Sequence, residues 1–112
     1  MAKVTRGDAI KAATTALGNL QNDELVASGV RTSLDWLVTE HPGRAVEVRV
    51  PPYRAVQILG GTTHRRGTPP AVVEMSPKTW LELFTKKLTW ADELSSGQVI
   101  ASGERSDLSE LF

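Results

Sequence analysis

The chain has 112 residues, with 13 basic and 13 acidic side chains, 40% hydrophobic residues and no cysteine. This length and composition fit a single globular domain. The lack of cysteine excludes disulfides, iron–sulfur clusters, thiolate zinc sites and cysteine nucleophiles, and the zero formal charge provides no overall field that would attract nucleic acid or a membrane.

Two helices are predicted over the first forty residues. Asp8 is placed to cap a helix that runs to about Asn19, and a second helix fits Asp23–Glu40. The apolar positions that recur at helical spacing are Ile10, Ala13, Leu17 and Leu20 in the first, and Val26, Val30, Leu34, Leu37 and Val38 in the second. His41-Pro42-Gly43 ends the second helix, because the residue before a proline resists the helical conformation.

The hydrophobic period then changes from helical to two. Val46–Val50 alternates as a strand with one buried face, and Pro51-Pro52 ends it because proline lacks an amide donor. Residues 55–59 form a second predicted strand, but the pattern does not decide which of its faces is buried. Either Val56 and Ile58 could face the core, or Ala55, Gln57 and Leu59. Residues 60–70 form a long polar loop, of a kind that often carries function.

The last third alternates strands and helices. Residues 71–75 and 98–102 are predicted strands, and Ser76-Pro77 starts a helix that runs to about Lys86. Thr89-Trp90-Ala91-Asp92 has the spacing of a capping box and opens a short helix that ends before Gly97. Ser106 is predicted to cap a final helical turn. The order of elements predicts an α+β fold, with helices packed on one face of a mainly antiparallel sheet.

No motif for catalysis, metal binding or cofactor binding is recognisable. A P-loop fails because the position that needs its second glycine, counted from Gly61, is Arg66, and no Gly-x-Ser-x-Gly occurs. His41 and His64 lie in a turn and a loop, without a nucleophile at convincing spacing. We therefore expect a protein that is not an enzyme and that uses no cofactor and no metal.

The balanced charge conceals a basic middle segment. Residues 41–70 contain five arginines and both histidines against Glu47 alone, whereas residues 71–112 are acidic. Because Tyr53 is the one aromatic residue of the basic segment, it offers no stacking platform, and we expect no nucleic-acid partner. No apolar leader follows Met1, and no apolar run approaches the roughly 20 residues that cross a bilayer, so we expect a cytoplasmic protein without stable membrane insertion.

Large apolar side chains are concentrated near the C-terminus. Trp80, Phe84, Leu88 and Trp90 fall within eleven residues. They could be an ordinary hydrophobic core or the wall of a cavity for an apolar ligand. The pattern alone does not separate these two interpretations.

Several of these stretches resemble the sterol carrier protein type 2 (SCP2-like) family, in its small stand-alone bacterial (actinobacterial-type) form. The similarity covers the chain from about Val30 to Phe112. The segments that carry it are Val46-Glu47-Val48-Arg49-Val50-Pro51-Pro52, Arg66-Gly67-Thr68-Pro69-Pro70, Val72-Val73-Glu74-Met75-Ser76-Pro77, Trp80-Leu81-Glu82-Leu83, Leu88-Thr89-Trp90-Ala91-Asp92, Val99-Ile100-Ala101-Ser102-Gly103 and Ser106-Asp107-Leu108.

The resemblance implies a five-stranded sheet with helices on one face. It also implies a hydrophobic tunnel between sheet and helices that takes sterols, fatty acids, acyl-CoA or other lipids without reacting with them. The apolar end of the chain, residues 108–112, would cover this tunnel. The arginine-containing loop departs from the animal members, and bacteria of this kind generally lack abundant sterol, so the family name does not assign a ligand.

The leading hypothesis is one SCP2-like domain over residues 1–112 that binds an apolar or amphipathic small molecule, with residues 1–22 as a candidate loosely attached helix. His64, Arg65 and Arg66 are candidates to hold an anionic head group. The candidate wall residues are Val48, Val56, Ile58, Val73, Met75, Trp80, Leu83, Phe84 and Trp90. The alternative is a protein-interaction or scaffold domain with a closed core, for which charge asymmetry between segments would suit a homodimer or another protein partner.

Overall fold

The computed structural model describes residues 3–60, 71–103 and 106–112. The elements in chain order are α1 (Arg6–Leu17), α2 (Asp23–Glu40), β1 (Val46–Val50), β2 (Arg54–Ile58), β3 (Ala71–Met75), α3 (Pro77–Phe84), α4 (Trp90–Ser95), β4 (Val99–Ser102) and a 3-10 turn (Ser109–Leu111). The predicted bounds of α2, β1 and β3 agree with the structure. The predicted loop over residues 60–70, with His64, Arg65 and Arg66, lies outside the described residues except for Gly60.

The N-terminal helices pair through small side chains. Thr5, rather than the predicted Asp8, caps α1: its hydroxyl accepts a hydrogen bond from Asp8 N, and the Asp8 carboxylate accepts one from Thr5 N. The helix ends two residues earlier than predicted, and its buried residues are Ala9, Ala13 and Ala16. The predicted apolar face was therefore wrong at Leu20, which lies beyond the helix and is 42% exposed.

A close approach of the two backbones explains why alanines are buried instead. A Cβ on Gly29 of α2 would lie 2.6 Å from the Cβ of Ala16 and 2.9 Å from the carbonyl oxygen of Ala12. Contacts shorter than about 3.5 Å between carbon atoms are repulsive, so only glycine fits at this crossing. Larger side chains on α1, such as Leu17, are left at the margin of the core.

The four strands form one mixed sheet in the order β2-β1-β3-β4. Neighbours β1 and β2 are antiparallel, β1 and β3 are parallel, and β3 and β4 are antiparallel. The expectation of five strands was therefore wrong over the described residues, and the sheet is mixed: two of its three pairings are antiparallel, as expected, and the pairing of β1 with β3 is parallel. The physical reason is that β3 pairs with the edge of β1 that β2 leaves free, and it does so in the same direction as β1.

One face of the sheet is buried and the other is largely open. Val56 and Ile58 face the core, which settles the phase of β2, whereas Ala55 and Gln57 are exposed. Arg49 and Glu47 form an ion pair of 2.6 Å on the open face, and Ile100 in β4 is 64% exposed there. Arg54 at the start of β2 reaches Asp35 of α2 with an N–O distance of 2.6 Å, so an ion pair joins the sheet edge to the helix layer.

The remaining predicted caps were confirmed apart from the last. Ser76 caps α3 through a hydrogen bond from Thr79 N, and Thr89 caps α4 through one from Asp92 N. The final turn is a short 3-10 helix, in which the carboxylate of Asp107, not Ser106, accepts a hydrogen bond from Ser109 N at 2.9 Å.

Candidate apolar site

The nine predicted wall residues all lie in one hydrophobic core. Five come from alternate positions of β1, β2 and β3, three from the inner face of α3, and Trp90 from the first residue of α4. None of the nine is more than 8% exposed, and all belong to one cluster of buried residues. The structure thus brings them together, which is also what an ordinary core requires, so their role as a ligand wall stays a prediction.

Two of the surface depressions that the described residues form are lined by none of the nine wall residues. One, of about 890 Å³, lies around the turn formed by residues 18–24. The other, of about 250 Å³, lies between α1 and α2 and is lined in part by Lys11, Thr15 and Leu25. A ligand that used the predicted wall would therefore have to enter from another part of the molecule than these depressions.

A continuous series of aromatic contacts crosses the C-terminal half of the core. Trp36 of α2 meets Phe84 at a centroid distance of 5.7 Å, and Phe84 stacks on Trp80 at 5.5 Å. Phe112 meets Trp80 edge-to-face at 5.8 Å and stacks on Trp90 at 5.9 Å with an interplanar angle of 10°. We call these five residues the aromatic chain.

Sequence patterns identified three members of the aromatic chain as wall residues and missed two. Trp36 lies off the centre of the apolar stripe of α2, and Phe112 was expected only as part of a covering segment. The available signals were the spacing of three residues between Ser33 and Trp36, which places both on one side of α2, and the apolar grouping of Leu108, Leu111 and Phe112.

The two buried indole N–H groups of the aromatic chain have different surroundings. Trp80 Nε1 donates a hydrogen bond of 2.7 Å to the hydroxyl of Ser33, which itself donates to the carbonyl of Gly29 at 2.6 Å. Trp90 Nε1 is also buried, but it has no acceptor among the described residues. A buried donor without a partner costs about 1–3 kcal/mol, so the Trp90 site holds an unused capacity to donate.

The C-terminal residues cover this part of the aromatic chain. Leu108 is 1% exposed and anchors them, whereas Leu111 and Phe112 are only partly buried. The backbone bonds in this stretch run from Leu111 N to Leu108 O and from Phe112 N to Ser109 O. Phe112 thus closes the space between Trp80 and Trp90 from a short turn with few hydrogen bonds.

The predicted head-group residues His64, Arg65 and Arg66 lie outside the described part of the chain, so their relation to the aromatic chain stays a prediction. His41 contacts Trp36, with ring centroids 6.4 Å apart. Within residues 3–60, 71–103 and 106–112, no three His, Cys, Asp or Glu side chains cluster so that they could hold a metal ion. The helices of these same ranges are all too short or too polar to cross a membrane.

A family model described as "Bacterial SCP ortholog" matches residues 22–112, where SCP stands for sterol carrier protein. The match begins at the cap of α2 and includes all four strands and the whole aromatic chain, whereas α1 lies before it. The comparison with curated proteins finds no match. Because the family match spans most of the chain, this protein belongs to the bacterial sterol carrier protein orthologues, as its sequence resemblance to the SCP2-like family predicted.

Proposed function

We propose that this protein is a non-catalytic binding module for a lipid or another apolar small molecule. The observation that supports the proposal is the closure of the tryptophan-rich core by residues 108–112. Leu111 and Phe112 are only partly buried, although Phe112 contacts both Trp80 and Trp90. Membership of the SCP-like family is a second support.

Binding in this proposal requires displacement of Phe112. Its ring occupies the gap between the two indoles, and the turn that carries it is three residues long. An acyl chain would take over the apolar contacts that Phe112 makes, and the burial of the ligand would offset the free energy lost when the phenyl ring is displaced into water. The nine candidate wall residues then surround the ligand, and Trp80 and Trp90 contact it directly.

Titration with palmitate and palmitoyl-CoA tests the proposal, with native mass spectrometry to count bound ligand and tryptophan fluorescence to follow the aromatic chain. We expect saturable binding of one ligand and a change in fluorescence. Phe112→Ala should bind more tightly, because the ligand no longer competes with the phenyl ring. Leu94→Ala is the matched control, since Leu94 is 43% exposed on α4. Absence of saturable binding of palmitate, palmitoyl-CoA and the uncharged hexadecan-1-ol alike to the unaltered protein would exclude the proposal.

A closed core and an exposed isoleucine on an outer strand favour a second candidate, a protein-interaction domain without a ligand. Ile100 is 64% exposed on β4, which is the last strand in the sheet order. Strand edges and exposed apolar residues are common sites of protein association. Analytical ultracentrifugation at low and high salt tests this candidate: a monomer at all salt concentrations, with no protein captured in pull-downs, would contradict it.

A further inference from the structure

The unpaired N–H group of Trp90 shows which lipids this core is suited to hold. Trp90 is 5% exposed, and its Nε1 atom has no acceptor in the described part of the molecule. Trp80, the other tryptophan beside Phe112, already donates to Ser33. Native proteins rarely leave a buried donor unpaired unless a water or ligand satisfies it. Trp90 is therefore the indole of this pair that is free to recognise a polar atom brought in by a ligand.

The charge of the surroundings limits what that polar atom can be. The buried polar residues of the described core are Ser33 and Thr79, neither of which is charged. A carboxylate buried here would lack a cationic partner among the buried residues, which makes its transfer from water unfavourable. An uncharged oxygen would lose far less on leaving water.

We propose that Trp90 Nε1 selects apolar ligands that carry a single uncharged oxygen acceptor, such as the hydroxyl of a fatty alcohol or the carbonyl of a ketone or ester. The inference rests on the proposed function, because the ligand reaches Trp90 by taking the place of Phe112. The apolar body of the ligand lies against the face of Trp90 on which Phe112 stacks, and its oxygen extends past the edge of that ring to accept the hydrogen bond from the Nε1–H group, which lies in the plane of the ring. A carboxylate could accept the same hydrogen bond, but the free energy it loses on leaving water without a cationic partner exceeds what that bond returns, so carboxylate ligands do not place their head group here.

The test compares three ligands of equal chain length: decan-1-ol, decanoate and decane, all delivered from a cyclodextrin carrier. Trp90→Phe removes the N–H group and keeps an aromatic ring. We expect this variant to bind decan-1-ol about tenfold more weakly, which is the effect of one buried hydrogen bond. Its affinities for decane and decanoate should follow those of the unaltered protein. Tyr53→Phe is the control, since it removes a polar hydrogen from a partly buried aromatic side chain that packs on the core outside the aromatic chain.

A second measurement needs no variant and so does not depend on whether Trp90→Phe folds. In a proton–nitrogen spectrum of the unaltered protein, the Trp90 indole signal should move downfield with decan-1-ol and not with decane. The Trp80 signal should keep its position, because its bond to Ser33 is retained. An unshifted Trp90 signal in the decan-1-ol complex would refute the inference, as would an equal loss of affinity for all three ligands in Trp90→Phe.

The outcomes separate this inference from the proposed function. If the protein binds palmitate or decanoate while Trp90 shows no preference for decan-1-ol, the binding function stands and the selection by Trp90 is wrong. If the protein binds neither these ligands nor palmitoyl-CoA, both are wrong.

Discussion

The two short helices of the C-terminal half end in the same backbone motif, with different residues at the critical position. After α3, Lys86 N bonds to Leu83 O at 3.0 Å and Lys87 N bonds to Glu82 O at 2.8 Å. After α4, Gly97 N and Gln98 N make the equivalent bonds to Leu94 O and Glu93 O. This pattern places the first residue in the left-handed region, where φ is +63° for Lys86 and +82° for Gly97. Glycine adopts that region without steric cost, whereas lysine does not.

Exchanging residues at these two positions should shift stability in opposite directions. Lys86→Gly should raise the free energy of unfolding by about 0.5–1 kcal/mol, because the relief of left-handed strain exceeds the added flexibility of the unfolded chain. Gly97→Ala should lower it by about 1 kcal/mol. A Cβ at Gly97 meets no atom within 4 Å, so this second effect has no contribution from a clash. Urea denaturation measures both, and a loss of stability in Lys86→Gly would contradict the assignment.

The hydroxyl of Ser33 is a buried hydrogen-bond acceptor within the core. It accepts the hydrogen bond of Trp80 Nε1 inside a fully buried contact between α2 and α3. Ser33→Ala should destabilise the protein by about 1–3 kcal/mol, because the Trp80 N–H group would then lack a partner as well. Ser28→Ala on the exposed side of the same helix is the control and should change stability little. Thermal or urea unfolding measures the stability of both variants. If the two are equally stable, the hydrogen bond between Trp80 and Ser33 contributes nothing to the stability of the fold.

At the scale of elements, a charged hydrogen-bond acceptor lies at the start of the final turn. Ser109 N donates to the carboxylate of Asp107 at 2.9 Å, and this bond, assisted by the Ser109 hydroxyl, holds the pKa of Asp107 below its ordinary value of 3.8. Because the pKa is lowered in the folded state, the Asp107 carboxylate stabilises the fold at pH values above its ordinary pKa. This contribution to stability is lost as the pH falls through the folded-state pKa.

Acidification should therefore loosen Phe112 from the tryptophans through protonation of Asp107. The expected result is a change in the Trp90 indole signal that develops as the pH falls below 3.8, the ordinary pKa of the group. Asp107→Asn is the control, because it removes the titrating group while it keeps a hydrogen-bond acceptor. The variant should lack this part of the pH response while it shares the response of the other carboxyl groups. If both proteins titrate identically at Trp90, Asp107 does not control the turn.

Among the helices and strands, some features could be predicted from local sequence patterns and others could not. Bounds for α2, β1 and β3 followed from local features, namely period, proline stops and alternation, and they agree with the structure. The parallel pairing of β1 with β3 depends on which edge of β1 is free, and no local pattern encodes that choice. Burial of the candidate wall residues followed from amphipathic spacing. The hydrogen bond of Trp80 to Ser33, 47 residues away, forms only when distant elements pack. The same holds for the contact by which Phe112 covers Trp80.

At the scale of the whole molecule, the question is whether α1 belongs to the same folded domain as the other elements, because the family match begins after it. Its alanines Ala9, Ala13 and Ala16 are fully buried, and it packs on α3 as well as α2. A segment that shares its buried surface with the rest of the core should unfold with it. On these grounds we expect a single cooperative unit that includes α1, in place of a loosely attached helix.

Native-state hydrogen exchange tests this expectation at several places in one experiment. The amide of Ala13 in α1 should exchange with the same free energy of opening as those of Val48 and Val73 in the sheet, because each requires global unfolding. The amides of Leu111 and Phe112 provide the internal contrast, since a three-residue turn should open alone at much lower free energy. Fast exchange at Ala13, with slow exchange at Val48 and Val73, would instead make α1 an independent segment. The domain would then begin where the family match begins, and the close Gly29–Ala16 crossing would form only part of the time.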